Sequence, residues 1–303
     1  LRAKQSGVEI STSAGNSGTW ENSDCFHDVS EWVGYAGEGS RLESDAEIVQ
    51  TGWLAMCLLI FAYQYVPHVP IFLAANRDES PARPSLPPDV VREPDRGCWF
   101  GGRDELADGT WLGVNRSGLV VGITNRSDRP VPANAVSRGL LCRDLLKSGG
   151  LADALTELDR RLRDAVYAGF NLLLASRDRA LVVEHGIETR RRELPAGLFV
   201  LTNTGLDSPG DPRGERGRRE FEDGMETDAT LPSLMSVAED VCRLTERPML
   251  TGPHPWGTVS ASVIALPEDP ADAQFYYAAG PPRSTPFVSC SDGLREVLRD
   301  GER

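Results

Sequence analysis

A cysteine directly after a methionine, Met56-Cys57, is the residue of this chain with the widest chemistry open to it. A thiol becomes a good nucleophile once it is a thiolate. Removal of Met56 would leave a free α-amine on the same residue. An α-amine titrates at about 7.7–8.0 when unperturbed, so it can take the thiol proton near neutral pH without a histidine. The competing reading is a small core residue that opens an apolar strand. Asn76-Arg77-Asp78-Glu79 closes a second apolar run. It reads either as a solvated strand end or as a charged corner. In the second case Arg77 holds the thiolate, and Asp78 orients the α-ammonium and Arg77. Asn125 and Asn203 close Ile123-Thr124-Asn125 and Leu201-Thr202-Asn203. An Asn amide can donate to a developing oxyanion, and it can equally turn or cap a chain. Asn171, inside Phe170-Asn171-Leu172, reads as a satisfied buried amide or an edge position. His27, His68, His185 and His254 carry no cue that pairs them with a cysteine.

These residues need elements to hold them. Cys57 to Tyr63 is a short apolar run rich in strand formers, and Ile71 to Ala75 is a second. The stretch from Pro81 to Pro94 reads as an extended surface loop. Gly109–Asn115 and Gly118–Asn125 read as a hairpin. Cys98, between Gly97 and Trp99-Phe100, reads as an aromatic packing segment. Ser137 is a candidate N-cap for a helix from Arg138 to Lys147, with Gly149 as its C′ residue. Leu151, Leu155, Leu158 and Leu162 mark one face of a second helix. Strands are expected at 170–175, 180–184, 198–202, 259–266 and 274–278, and helices at 213–222 and 234–244. Gly205–Gly217 reads as a polar loop. Strands, a helical middle, then more hairpins suit antiparallel sheets covered by helices.

Residues 1–55 differ in composition. They are rich in Ser, Gly and Glu and show no sustained apolar period. They read as a disordered leader or pro-segment, or as an in-frame extension upstream of a misplaced start. The second reading is favoured because Met56 is the first methionine, so a domain of residues 56–303 is expected.

The formal net charge of −13 argues against nucleic acid and against an anionic membrane surface as partners. No run approaches the roughly 20 apolar residues of a membrane-spanning helix, and no secretory signal is evident. The six cysteines are scattered, with no CxxC pair. They read as reduced thiols of a cytoplasmic protein. No His/Cys spacing suggests a metal, and no cofactor is expected.

Six blocks in order carry a resemblance. They are Met56–Leu59, Ala74–Glu79, Gly109–Gly113, Thr124-Asn125, Ser137–Gly139 and Gly169–Leu172. The chain from Met56 to about Ala279 resembles the NRDE family, that of transport and Golgi organisation protein 2. That family in turn resembles N-terminal-nucleophile (Ntn) hydrolases of the choloylglycine hydrolase and penicillin V acylase type. The resemblance implies an α+β fold, a four-layer αββα sandwich of two antiparallel sheets covered by helices. It implies Cys57 as nucleophile, Arg77 and Asp78 beside it, and Asn125 and Asn203 closing strands near it. For a further hydrolase arginine it offers only Arg218. The implied reaction is hydrolysis of a non-peptide, linear amide bond in a small molecule. The alternative is a non-catalytic carrier of a lipid-like or haem ligand on the same scaffold. Trp99, Trp111 and Trp256 permit such a pocket. Self-association into a homo-oligomer is compatible with either.

Overall fold

The computed structural model describes residues 57–93, 97–126, 131–225, 230–251, 253 and 255–300. The expectation for residues 1–55 lies outside them. Fourteen strands and five α-helices form among the described residues. Strands β1 (Leu58–Val66) and β2 (Val69–Glu79) lie at the centre of the first sheet. β10 (Gly197–Thr202) flanks β1, and β12 (Gly257–Leu266) flanks β2. Short β11 (Gly205–Leu206) ends the sheet on one side; β13 (Gln274–Ala278) and β14 (Val288–Ser289) end it on the other. The second sheet runs in chain order through β3 (Ser85–Glu93), β4 (Gly97–Asp104), β5 (Leu112–Asn115), β6 (Val120–Asn125), β7 (Phe170–Ala175), β8 (Ala180–His185) and β9 (Thr189–Leu194). Every pairing in both sheets is antiparallel.

The pleat sorts each strand between two layers. Leu59, Phe61, Ile71 and Leu73 face the second sheet and pack with Leu112, Val114 and Leu173. Leu58, Ile60, Phe72 and Ala74 face outward onto Phe221 of α3 (Pro212–Met225) and Leu234, Ala238 and Val241 of α4 (Leu231–Leu244). On the far side Val121, Leu172 and Leu174 meet Leu141 and Leu145 of α1 (Arg138–Leu146) and Leu158 of α2 (Leu151–Asp164). The result is helices, sheet, sheet, helices: the expected αββα sandwich. The opening of β1 reads as an unbroken apolar run because both of its faces are covered. Each fully buried Leu or Phe contributes about 1.5–3 kcal/mol. No described helix is long and apolar enough to cross a membrane.

Three local expectations change. The Pro81–Pro94 stretch is not all loop, since β3 occupies Ser85–Glu93 as an edge strand. An edge tolerates proline, and Pro87 and Pro88 fall where the register with β4 shifts, between Leu86 and Asp89. Gly205–Gly217 contains β11 and the first turn of α3. Asp211 opens that helix, its Oδ1 accepting the N–H groups of Arg213 and Gly214 at 3.1 Å each. Ser137 does stand at the N-cap of α1 but makes no side-chain cap bond. That helix is positioned by contact instead. The Thr110 N–H donates to Gly139 O at 3.0 Å, and a Cβ on Gly109 would lie 2.4 Å from the Gly139 carbonyl carbon.

Gly109→Ala is therefore expected to push α1 off its seat. The loss of stability is about 1–3 kcal/mol, read as a lower urea midpoint at unchanged m-value.

Candidate functional site

Leu58 pairs with Thr202 of β10 and with Asn76 of β2. One step further along the same registers, Cys57 falls opposite Asn203 on one side and Arg77 on the other. Arg77 in turn pairs with Ser260 of β12. Directly opposed residues of antiparallel strands put their side chains on the same face, with Cβ atoms about 4.5–5.5 Å apart. Asn203, Cys57, Arg77 and Ser260 thus form a row across the end of the first sheet, on the side turned toward the second. Cys57, Arg77 and Ser260 line a cleft between the sheets, and Trp111 and Thr124 line it from the opposite wall. Its empty space, mouth included, is about 370 Å³.

Asp78 is the next residue along β2, so the pleat sends it to the other face. Its side chain is fully buried under α3. Oδ2 lies 2.5 Å from Arg213 Nη1 and Oδ1 lies 3.3 Å from Arg213 Nη2, a two-pronged pair. Thr258 Oγ1 donates to Oδ1 at 2.6 Å, and Arg247 Nε stands 3.8 Å from Oδ2. Arg213 Nε also donates to Thr245 O at 2.6 Å, which fixes the guanidinium. Burial pushes the Asp78 carboxyl up; Arg213 and Thr258 oppose that shift. The backbone carbonyl of Asp78 meets the site directly, accepting from Cys57 Sγ at 3.7 Å. In a chain continuing upstream of Cys57 the thiol is pushed up to about 11, first by burial and then by the charges of Asp78 and Glu79. The bond to Asp78 O and the charge of Arg213 pull the other way.

The structure therefore brings Cys57, Arg77, Asp78 and Asn203 to one corner and divides their surroundings. Asp78 does not orient Arg77, because adjacent residues of a strand point apart; Arg213 is its partner. Arg77 stacks on Trp111, with Cζ 4.3 Å from the ring centroid. Asn203 is buried, and its Oδ1 has no hydrogen-bond partner. Asn125 closes β6 opposite Phe170, whose ring lies on the helix-covered face, so Thr124 rather than Asn125 faces the cleft. Asn171 is a satisfied buried amide. Its Nδ2 donates to Thr202 O at 2.7 Å and to Thr124 Oγ1 at 3.2 Å, and its Oδ1 accepts from Arg126 at 3.0 Å. It ties the second sheet to the strand end that carries Asn203. Arg218 is engaged elsewhere, on Leu198 O at 2.9 Å and Asp207 at 2.5 Å. Trp99 is buried in the helix-side core of the second sheet.

Arg213, Thr258 and Arg247 were not legible as site residues from sequence. Asp211-Pro212 is a readable helix start and fixes where α3 begins. The cross-chain pair it makes possible leaves no local pattern. Arg138 of α1 carries no site signal in the sequence beyond the block Ser137–Gly139. It donates to Gly169 O at 2.8 Å and is lowered to about 10, chiefly by burial, against the opposing charges of Glu79 and Cys57. No group of three or more His, Cys, Asp or Glu side chains that could hold a metal occurs among the described residues.

Two measurements check this geometry. Arg213→Met leaves a buried carboxylate without its cation and is expected to cost about 3–5 kcal/mol in urea unfolding. Adding Asp78→Asn to the same chain should recover part of that loss. In the chain with its upstream residues attached, iodoacetamide labelling of Cys57 should keep rising with pH to about 11, followed by peptide mass spectrometry. A plateau near pH 8 would show that the thiol is not held in this environment.

The family profile described as Transport and Golgi organisation 2 matches residues 56–269. A Transport and Golgi organization protein 2 homolog from Bos taurus is 29% identical over 174 residues, covering 51% of this chain and 59% of that protein. The Homo sapiens homolog is 27% identical over 203 residues, covering 60% and 69%. Among solved structures, a Caenorhabditis elegans N-acylethanolamine-hydrolyzing acid amidase ortholog matches with a TM-score of 0.46 at 15% identity, over 76% of this chain and 98% of that one. A mutant of conjugated bile acid hydrolase from Clostridium perfringens matches with a TM-score of 0.46 at 13% identity, over 79% and 94%. With the profile spanning most of the chain, from Met56 through β12, the protein belongs to the Transport and Golgi organisation 2 family.

Proposed function

We propose that the chain, once it begins at Cys57, is an N-terminal-cysteine hydrolase that cleaves a linear amide bond in a small molecule. The observation that carries this reading is the row Asn203–Cys57–Arg77–Ser260 at the mouth of a cleft. The Cys57 α-amine takes the thiol proton as sulfur attacks the amide carbonyl. The side-chain N–H of Asn203 donates to the oxyanion that forms. Collapse of the tetrahedral intermediate breaks the C–N bond. The leaving amine takes the proton from the α-ammonium, and a thioester remains on Cys57. Water, deprotonated by the same amine, then attacks the thioester and releases the acid and the free thiol. Asp78 acts from the opposite face of β2: its carboxylate stabilises the α-ammonium, while Arg213 keeps that carboxylate ionised. The ammonium also favours the thiolate, which lowers a thiol that is otherwise pushed up to about 11.

The lipid or haem carrier would occupy the same cleft. A thiol flanked by an amide and a guanidinium favours the hydrolase, because a carrier has no use for a nucleophile at its mouth. The chain beginning at Cys57 should form an acyl adduct on that residue when incubated with a panel of fluorogenic acyl amides, read by intact mass. Cys57→Ala should form none and lose turnover by roughly three orders of magnitude or more. Asn203→Ala should lower kcat about 10²–10³-fold with little change in KM. Absence of any adduct, together with saturable binding of a lipid or porphyrin, would replace this reading with the carrier.

A further inference from the structure

Arg77 is 7% exposed, yet no carboxylate of the described residues lies within ion-pair distance of it. A guanidinium carries five N–H donors. Here its only side-chain hydrogen bond among the described residues is a long one, 3.5 Å from Nη1 to Ser85 Oγ. The acids nearby are committed elsewhere. Asp104 pairs with Arg83 at 2.6 Å; Glu79 accepts the Ser80 N–H at 2.9 Å, stands 3.9 Å from Arg83, and feels the charge of Arg77 only from beyond ion-pair distance. Asp78 is on the other face of the strand with Arg213. The ring of Trp111 supplies a cation–π contact, which supports a desolvated cation but leaves its donor fork unfilled. None of the guanidinium nitrogens is sealed without a partner, and the residue lines the cleft, so the remaining donors open on it.

A buried charge is costly unless it is paired. Glu79 acts on Arg77 only through space, and Cys57 is a thiol at rest, so the open donors are left to an anion on the ligand. A planar fork matches a carboxylate through two parallel hydrogen bonds, and one cation balances one negative charge. Arg77 is opposite Cys57 in the register, so the anion has to sit a few bonds from the carbonyl that sulfur attacks. Leu59, Ala75 and Leu112 give the rest of the cleft an apolar lining. We infer that Arg77 is the receptor for a carboxylate borne by the ligand close to its scissile amide, with an apolar group filling the remainder. This rests on the hydrolase reading only in calling the amide scissile; the anion site itself stands on Arg77. The carboxylate can belong to the amine half or to the acyl half of the substrate.

The test uses the full chain carrying Cys57→Ala, so that binding is measured without turnover. Two matched pairs distinguish the halves: hexanoylglycine against hexanoylglycinamide, and N-butylsuccinamate against its neutral N-methyl diamide. By titration calorimetry the carboxylate of at least one pair should bind about tenfold or more tightly than its neutral partner. Arg77→Met should erase that preference, and Arg77→Lys, which keeps the charge and loses the fork, should retain part of it. Equal binding within both pairs, no binding in either, or a preference that survives Arg77→Met would each overturn the inference. Turnover of the same compounds by the chain that begins at Cys57 is read separately. Carboxylate-selective binding without turnover would sink the hydrolase reading and leave the anion site in place.

Discussion

The corner around Cys57 depends on one buried ion pair, Asp78 with Arg213. Taking a carboxylate out of water costs several kcal/mol, and the Coulombic return covers this only when geometry is good and the spare lone pairs are filled. Both conditions hold: two guanidinium nitrogens, the Thr258 hydroxyl and the approach of Arg247 surround the carboxylate. The pair joins the end of β2 to the first turn of α3, and the Thr245 carbonyl joins it to the end of α4. Three elements are thereby held at the position where the Asp78 backbone meets the Cys57 sulfur.

The pleat then gives two neighbouring residues separate tasks. Asp78 and Arg77 share a strand and point into different layers, one under the helices and one between the sheets. The same alternation sets Asn203 beside Cys57 and turns Asn125 toward the helix side. A one-residue slip of β1 would turn Cys57 away from Asn203 and Arg77, because the side-chain period of a strand is two. The apolar residues prevent that slip. Leu58 and Ile60 must meet the helices while Leu59 and Phe61 meet the second sheet.

Much of the architecture was legible because both faces of the central strands are covered, so the apolar stretches of β1 and β2 read as short unbroken runs. α2 showed its stripe in Leu151, Leu155, Leu158 and Leu162. Edge elements did not show. β9 is Thr-Arg-Arg-Arg-Glu-Leu with only its last residue buried, and no apolar alternation marks it as a strand. β3 was hidden by its prolines. α5 (Ser291–Asp300) buries Leu294, Val297 and Leu298 at helical spacing, but its other positions are largely charged. In the site, Cys57 was legible from its place after Met56 and Arg77-Asp78 from charge at the end of an apolar run. Arg213 was not, since a pair 135 positions apart in sequence leaves no local signal.

A thiol and a primary amine on one residue, set between Asn203 and Arg77, form the centre of this picture. Edman sequencing of the active protein isolated from its native source asks about that amine directly. The expected reading is Cys-Leu-Leu-Ile, the chain opening at Cys57. An active protein whose chain still runs upstream through Met56 would contradict it.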